Sequence, residues 1–307
     1  MAGELISTDG QIEWRGLLLG ERSPYAGRVL AGWDSLPDLD DASALRAQQH
    51  GAWPGRLLAR QRVLTWDAEL IPEDPAQDAQ WPDLLAQLRA ATGVRQDEQP
   101  LVVRLAGQTL QVGARITART IPSDQQYTAG HPQISLEWTC SDPLRYSLAE
   151  TSADTLLPQP GQGLDWGDGA SPPGLDWYDG SSPPGLDWGT PGSSGDLTVT
   201  NEGDAETPPR IEFRGPVTRP SVRLRETGQV LEYDLVLAAA DVLTVDTSDG
   251  TVTLASGASR LYTVTPRSVP EQTFVLPPGA STLSFRDGPG TTGTAASMTV
   301  RYRSAYW

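Results

Sequence analysis

The sequence predicts a mainly β protein with two strand-rich halves. Three observations carry that expectation. Short runs alternate apolar and polar residues, the period of half-buried strands. Glycine (31) and proline (26) are plentiful in the 307 residues and supply turns rather than long helices. A repeated tract over residues 163–188 divides the chain.

In the first half, residues 12–19 (IEWRGLLL) read as strand ending at Gly20, with a turn at Ser23-Pro24. Residues 36–41 (LPDLDD) read as an exposed acidic loop and residues 51–55 (GAWPG) as a turn-rich connection. Residues 62–70 (RVLTWDAEL) alternate as a strand. The spacing predicts one helix over residues 81–92. Pro82 lacks the N–H that would be unpaired in a first turn, Asp83 complements the helix dipole, and Gly93 is expected to take a left-handed end position. Leu84, Leu85 and Leu88 share one face and are expected to pack on a sheet. Residues 100–105 and 108–112 flank Gly107 as a hairpin. Residues 114–121 and 133–139 continue the alternation, and the half closes over 141–147.

In the second half, strand-like runs begin at Leu197, Arg210, Ser221, Val230, Val242, Thr251, Thr282 and Met298. Spacing of about 10–12 residues with Gly, Pro and Asp turns is the mark of a β-sandwich. The predicted division is residues 1–147, a Pro/Gly-rich linker over 148–195, and residues 196–307. Each half is long enough to bury its own core.

The linker says GLDW three times at an eleven-residue step, at 163–166, 174–177 and 185–188. This puts Trp166, Trp177 and Trp188 beside Asp165, Asp176 and Asp187. Two readings stand. Tryptophan rings with nearby carboxylates hold sugars; equally, each Leu-Asp-Trp anchors an extended Pro-rich strap onto its own subunit or a neighbour. Anchoring is favoured, because three exposed tryptophans on a loose strap are an aggregation hazard.

Formal net charge is −16, and every cation is arginine, since the chain has no lysine. Such a surface repels phosphate backbones, which argues against sequence-specific nucleic-acid binding. It suits a conduit through which DNA passes without sticking. Cys140 is the lone cysteine, so no intrachain disulfide forms. The opening residues lack a basic segment followed by an apolar run, and no run approaches the roughly 20 apolar residues of a membrane helix. The expectation is a cytoplasmic product with no membrane insertion.

Signatures of chemistry are sparse. Cys140 with His131 makes a conceivable nucleophile pair, but no family signature surrounds them and a lone cysteine is commonly a small buried hydrophobe. No zinc or EF-hand spacing occurs. Asp38, Asp40 and Asp41 read as a solvated acidic loop. No catalytic residue, metal or cofactor is expected, and the chain is read as not an enzyme.

Taken in order, the motifs resemble the distal tail proteins (Dit) of long-tailed, non-contractile phages. The resemblance rests on WRGLLLG at 14–20, QHGAWPG at 49–55, RVLTW at 62–66, the single helix, and EWTCSDPLRYS at 137–147. It continues with LTVTNEG at 197–203, PPRIEFRGP at 208–216, LPPGA at 276–280, LSF at 283–285 and VRYRSAY at 300–306. It does not cover the GLDW strap. The resemblance implies two β-sandwich domains: a ring-forming N-terminal domain with one helix and a galectin-like C-terminal domain. It implies a ring, typically of six copies, at the virion tail tip, assembled in the host bacterial cytoplasm. The ring joins the tail tube protein to the tail-associated hub or fibre protein and lets DNA pass. Two other classes compete with this structural role. A carbohydrate-binding host-recognition module draws support from the tryptophan tract. A wall hydrolase needs a pair of carboxylates that no motif selects.

Overall fold

The computed structural model describes residues 2–71, 80–159, 192–290 and 295–307. The GLDW strap and its six candidate residues lie outside the described residues. The chain divides into two compact units: residues 1–149 with 305–307, and residues 150–304. Both are mainly β.

Unit 1 contains β1 (Gln11–Trp14), β2 (Leu17–Gly20), β3 (Tyr25–Ala31), β4 (Leu39–Asp41), β5 (Ala44–Leu45), β6 (Ala52–Trp53), β7 (Leu57–Ala59) and β8 (Arg62–Leu70). Then come α1 (Trp81–Ala91), β9 (Gln99–Leu105), β10 (Gln108–Thr120), α2 (Gln125–Thr128), β11 (Gln133–Cys140) and β12 (Arg145–Ser147). The main sheet runs β2-β1-β9-β10-β11-β8-β3 through antiparallel neighbours, with β12 paired to β10. Every second residue of β8, from Arg62 to Leu70, is buried, as its alternating sequence requires. β9 and β10 meet in a two-residue turn at Ala106-Gly107, both with positive φ, so the glycine that marks the hairpin sits where left-handed backbone is needed. β10 is one thirteen-residue strand with a register shift between Ile116 and Ala118. It pairs β9 before that irregularity and β11 across and beyond it. The rings of Trp14 in β1 and Trp138 in β11 meet edge to face, 6.0 Å apart. Leu64, Trp66, Leu136 and Leu101 fill the same core.

Helix α1 buries Leu85 and Leu88 in that core. Two core side chains bind its carbonyls: Trp14 Nε1 donates to Ala91 O at 2.9 Å, and Tyr25 OH donates to Leu84 O at 2.7 Å. Its end differs from expectation. Gly93 is not left-handed; Thr92 ends the helix, its hydroxyl donating to Leu88 O at 2.6 Å. A second helix, the one-turn α2, was not foreseen. Asp124 caps it by accepting from Tyr127 N at 2.9 Å.

Unit 2 begins earlier than the sequence suggests. β13 (Thr151–Leu156), placed by sequence inside the linker, pairs along its length with β23 (Ser297–Tyr302). The further strands are β14 (Asp196–Asn201), β15 (Arg210–Arg214), β16 (Val217–Thr218), β17 (Ser221–Leu224), β18 (Val230–Glu232), β19 (Val236–Leu237), β20 (Val242–Asp246), β21 (Thr251–Leu254) and β22 (Gly279–Arg286). Two sheets, β13-β23-β15-β20-β21 and β14-β22-β17-β18, share one core. Phe213 of the first and Phe285 of the second meet at 5.7 Å, the packing of a sandwich. Asn201, the sole asparagine, is buried at the end of β14. Its amide donates to Ala205 O at 2.7 Å, and its oxygen accepts from Gly203 N at 3.1 Å. The final strand, β24 (Ala305–Tyr306), leaves unit 2 and pairs β12 in unit 1, so the C-terminal half does not keep its last residues.

The unit 1 core is tested at Leu136, fully buried and opposite Trp66 across β11 and β8. Leu136→Ala is expected to cost about 2–5 kcal/mol. Urea unfolding followed by the fluorescence of the buried tryptophans measures it. An unchanged midpoint would contradict this account of the core.

Candidate assembly surface

Residues 38–61 form an arm in which no residue is buried. Its base is a hairpin: Leu39, Asp40 and Asp41 of β4 face Ala59, Leu58 and Leu57 of β7, and Arg60 N donates to Asp38 O at 2.8 Å. Its tip is a second hairpin, where Ala44 and Leu45 of β5 face Trp53 and Ala52 of β6. The supposed acidic loop and turn-rich connection are therefore paired strands.

Between base and tip, residues 42–43 stand opposite residues 54–56. That is one more residue on the returning side, the arithmetic of a bulge. Gly55 is required there, because a Cβ on it would lie 2.2 Å from the carbonyl carbon of Ala42. Asp41 and Ser43 hold the bend. Ser43 N donates to Asp41 Oδ1 at 3.0 Å, and Gly55 N donates to Ser43 Oγ at 3.2 Å.

The arm exposes Leu39, Leu45, Trp53, Leu57 and Leu58, with Leu45 at 88%, Trp53 at 63% and Leu57 at 60% of full exposure. Arg46 stacks on Trp53, 4.4 Å from the ring centre. Single exposed leucines are ordinary, but five large apolar side chains on one unburied arm make it a candidate docking surface.

The root of the arm is rigid, and Arg62 is the reason. It is 1% exposed, at the first position of β8. Its Nη1 donates to Gly32 O at 2.7 Å, Trp33 O at 2.9 Å and Ser35 O at 2.7 Å, and its Nε donates to Pro143 O at 2.7 Å. The chain is thus tied down just before the arm departs and just where it returns. Burial first, then the nearby Arg145 charge, pull the Arg62 guanidinium below its usual range. Arginine nonetheless stays protonated at neutral pH. Arg145 adds a second clamp. Its Nη1 donates to Asp34 Oδ1 at 2.7 Å, its Nη2 binds Trp307 O, and its guanidinium stands 5.6 Å from the centre of the Trp33 ring.

The sequence's other candidates do not converge on chemistry. Cys140 ends β11 and is fully buried, its thiol pushed up to about 12 by burial and then by Glu98. His131 precedes the opposite end of that strand. Nine residues of extended chain put the two roughly 30 Å apart, so they do not form a nucleophile pair. Among the described residues no group of three His, Cys, Asp or Glu side chains is placed to hold a metal, and no helix is long and apolar enough to cross a membrane. The arm itself was missed; its available signal was the apolar residues scattered through segments read as polar connections.

Comparison with known proteins adds three findings. Residues 202–306 match the family of the siphovirus-type tail component, C-terminal domain. No curated protein matches the chain. Among solved structures, the Dit protein of phage SPP1 shares 14% identity at a TM-score of 0.62, covering 97% of this chain and 99% of its own. It is described as a paradigm of the hub adsorption apparatus in phages infecting Gram-positive bacteria. A chain of the phage P2 baseplate in its activated conformation with calcium shares 11% identity at a TM-score of 0.43, covering 91% of each chain.

Arg62→Met is expected to leave the carbonyls of Gly32, Trp33, Ser35 and Pro143 without their donor, costing about 3 kcal/mol. Hydrogen exchange is expected to rise first at residues 32–37. Unchanged exchange there would show that the root is held by something else. Residues 202–306 thus match the C-terminal domain of siphovirus-type tail components, and the chain shares its fold, along nearly its whole length, with SPP1 Dit, in line with the resemblance read from the sequence.

Proposed function

We propose that this chain is a structural subunit of a phage tail tip that closes with copies of itself into a ring, typically of six. The arm of each copy docks on the next. The observation that carries the reading is the unburied arm with its five exposed apolar side chains, on a chain with a tail-component domain. A head-to-tail contact of this kind uses two different surfaces and closes by rotation.

Magnitudes favour a ring over an isolated pair. Full burial of one such side chain contributes about 1.5–3 kcal/mol, so five that start partly covered give roughly 5–10 kcal/mol per arm. Association costs about 4–15 kcal/mol in lost freedom, which leaves one arm marginal. Ring closure supplies an additional contact without bringing in another free body.

In this reading the ring joins the tail tube protein to the hub or fibre protein at the virion tail tip. Its subunits are made and assembled in the host cytoplasm. Net charge of −16 supports a lumen that is acidic or neutral, along which DNA slides. The role is mechanical, and no enzymatic step is assigned to it.

The test is native mass spectrometry of the purified chain beside a variant carrying Leu45→Glu, Trp53→Ser and Leu57→Glu. The wild type is expected to form closed rings and the variant to stay monomeric while keeping its thermal unfolding. Rings that persist in the variant would remove the arm from the account. A wild type that stays monomeric at high concentration, alone and with tube or hub protein, would defeat the proposal.

A further inference from the structure

The outer face of the four-stranded sheet in unit 2 carries a hollow of about 580 Å3. Register and period build it. On β17, Val222 and Leu224 are buried in the core, so Ser221 and Arg223 face outward, and Arg225 continues the series. Arg223 lies opposite Ser284 of β22 on one side and Val230 of β18 on the other. Ser221 lies between Arg286 and Glu232 in the same way. Arg267 approaches from the segment beyond β18.

Three of the four guanidiniums are fixed by carboxylates. Arg225 and Arg286 both donate to Asp196, at 2.6 and 3.0 Å, and Arg267 donates to Glu232 at 3.0 Å. The guanidinium of Arg223, in the middle of the group and exposed, makes no hydrogen bond or ion pair among the described residues. With Asp287 counted beside Asp196 and Glu232, the hollow keeps one positive charge on a chain of net charge −16.

An exposed arginine on a sheet face often serves only solubility. This one stands in a recess whose volume lies within the range of small-ligand sites, about 300–1,000 Å3. Its neighbours are already locked, so the array is organised before any ligand arrives. The polar groups beside it are mixed. Ser284 Oγ accepts from Arg225 Nε at 3.0 Å and donates to Asp196, and Ser221 Oγ donates to Arg286 O at 3.2 Å, so each serine offers an incoming hydroxyl a lone pair rather than a proton. Glu232, 7% exposed, is held by Thr265 Oγ1 and Arg267 through one bond to each oxygen, which leaves lone pairs for incoming hydroxyls. A guanidinium fork suits a phosphate or carboxylate, and paired hydroxyl and carboxylate groups suit a sugar ring.

We propose that this hollow binds an anionic saccharide, with the ligand's phosphate or carboxylate on Arg223 and its hydroxyls on Ser221, Ser284 and Glu232. The site is separate from the arm and goes beyond the ring reading, so either can fail without the other.

Calorimetric titration of the full chain with glucose 6-phosphate and with glucuronate tests it, with glucose and inorganic phosphate as controls. At least one acidic sugar is expected to bind at millimolar concentration or below, and the preferred one identifies phosphate or carboxylate as the group recognised. Glucose and free phosphate are expected to bind at least about tenfold more weakly, and Arg223→Gln to weaken the acidic sugar by about tenfold or more. Arg223 is exposed, so thermal unfolding of the variant should match the wild type. No binding of either acidic sugar up to about 10 mM would overturn the proposal, since that is weaker than any specific site of this size needs to be. Equal binding by the Arg223→Gln variant would also overturn it, as would phosphate alone matching the sugar phosphate, which marks an adventitious ion only. Loss of self-association in Arg223→Gln without any sugar binding would reassign the hollow to a protein contact.

Discussion

The buried guanidinium of Arg62 is the constraint on which the account turns. An arm with no buried residue has no core to orient it, so its direction is set at its root. Four carbonyls from two distant stretches of chain converge on one planar group that is rigid and permanently charged. A lysine has no such fork. Its ammonium would offer three donors from a flexible stem and carry a larger desolvation penalty. Arg145 repeats the device one layer out, joining Asp34, Trp33 and the C-terminal Trp307. A chain without lysine thus uses arginine's geometry for construction as well as for charge.

The two units divide the work physically. Unit 1 combines a tryptophan-rich core with an apolar arm held clear of it, which separates the energy of folding from the energy of docking. Glu or Ser on the arm changes no core packing; Ala at Leu136 changes no docking surface. Unit 2 is a sandwich whose inner faces carry Phe213 and Phe285 and whose outer face, by the two-residue period, gathers arginines from β17 and β22. That hollow is a consequence of antiparallel register and lies on a face that folding leaves open.

Legibility in the sequence followed periodicity. β8 was readable because nine residues alternate without interruption, and α1 because Pro82, Asp83 and the leucine face agree. The β9–β10 turn was readable in Gly107. The arm was not, since strands of two or three residues are too short to show a period and expose apolar residues as freely as polar ones. β13 was missed because TSADTL carries one large apolar residue and sits at a sheet edge where burial is slight. Gly93 misled because Thr92 satisfies the helix carbonyl with its own hydroxyl. The arginine hollow had no linear signal at all: its residues span 221–287 and meet only through pairing. The Trp and Asp positions of the GLDW tract, at 165–188, lie outside the described residues.

The central claim is that the arm is made to cover another copy of the chain. The most direct measurement places a photoreactive p-benzoylphenylalanine at position 53, in place of Trp53, and maps the adducts after illumination of the assembled protein. The account predicts adducts joining two chains, with the second attachment in unit 1 of the neighbouring copy. Adducts confined to the arm's own chain would contradict it.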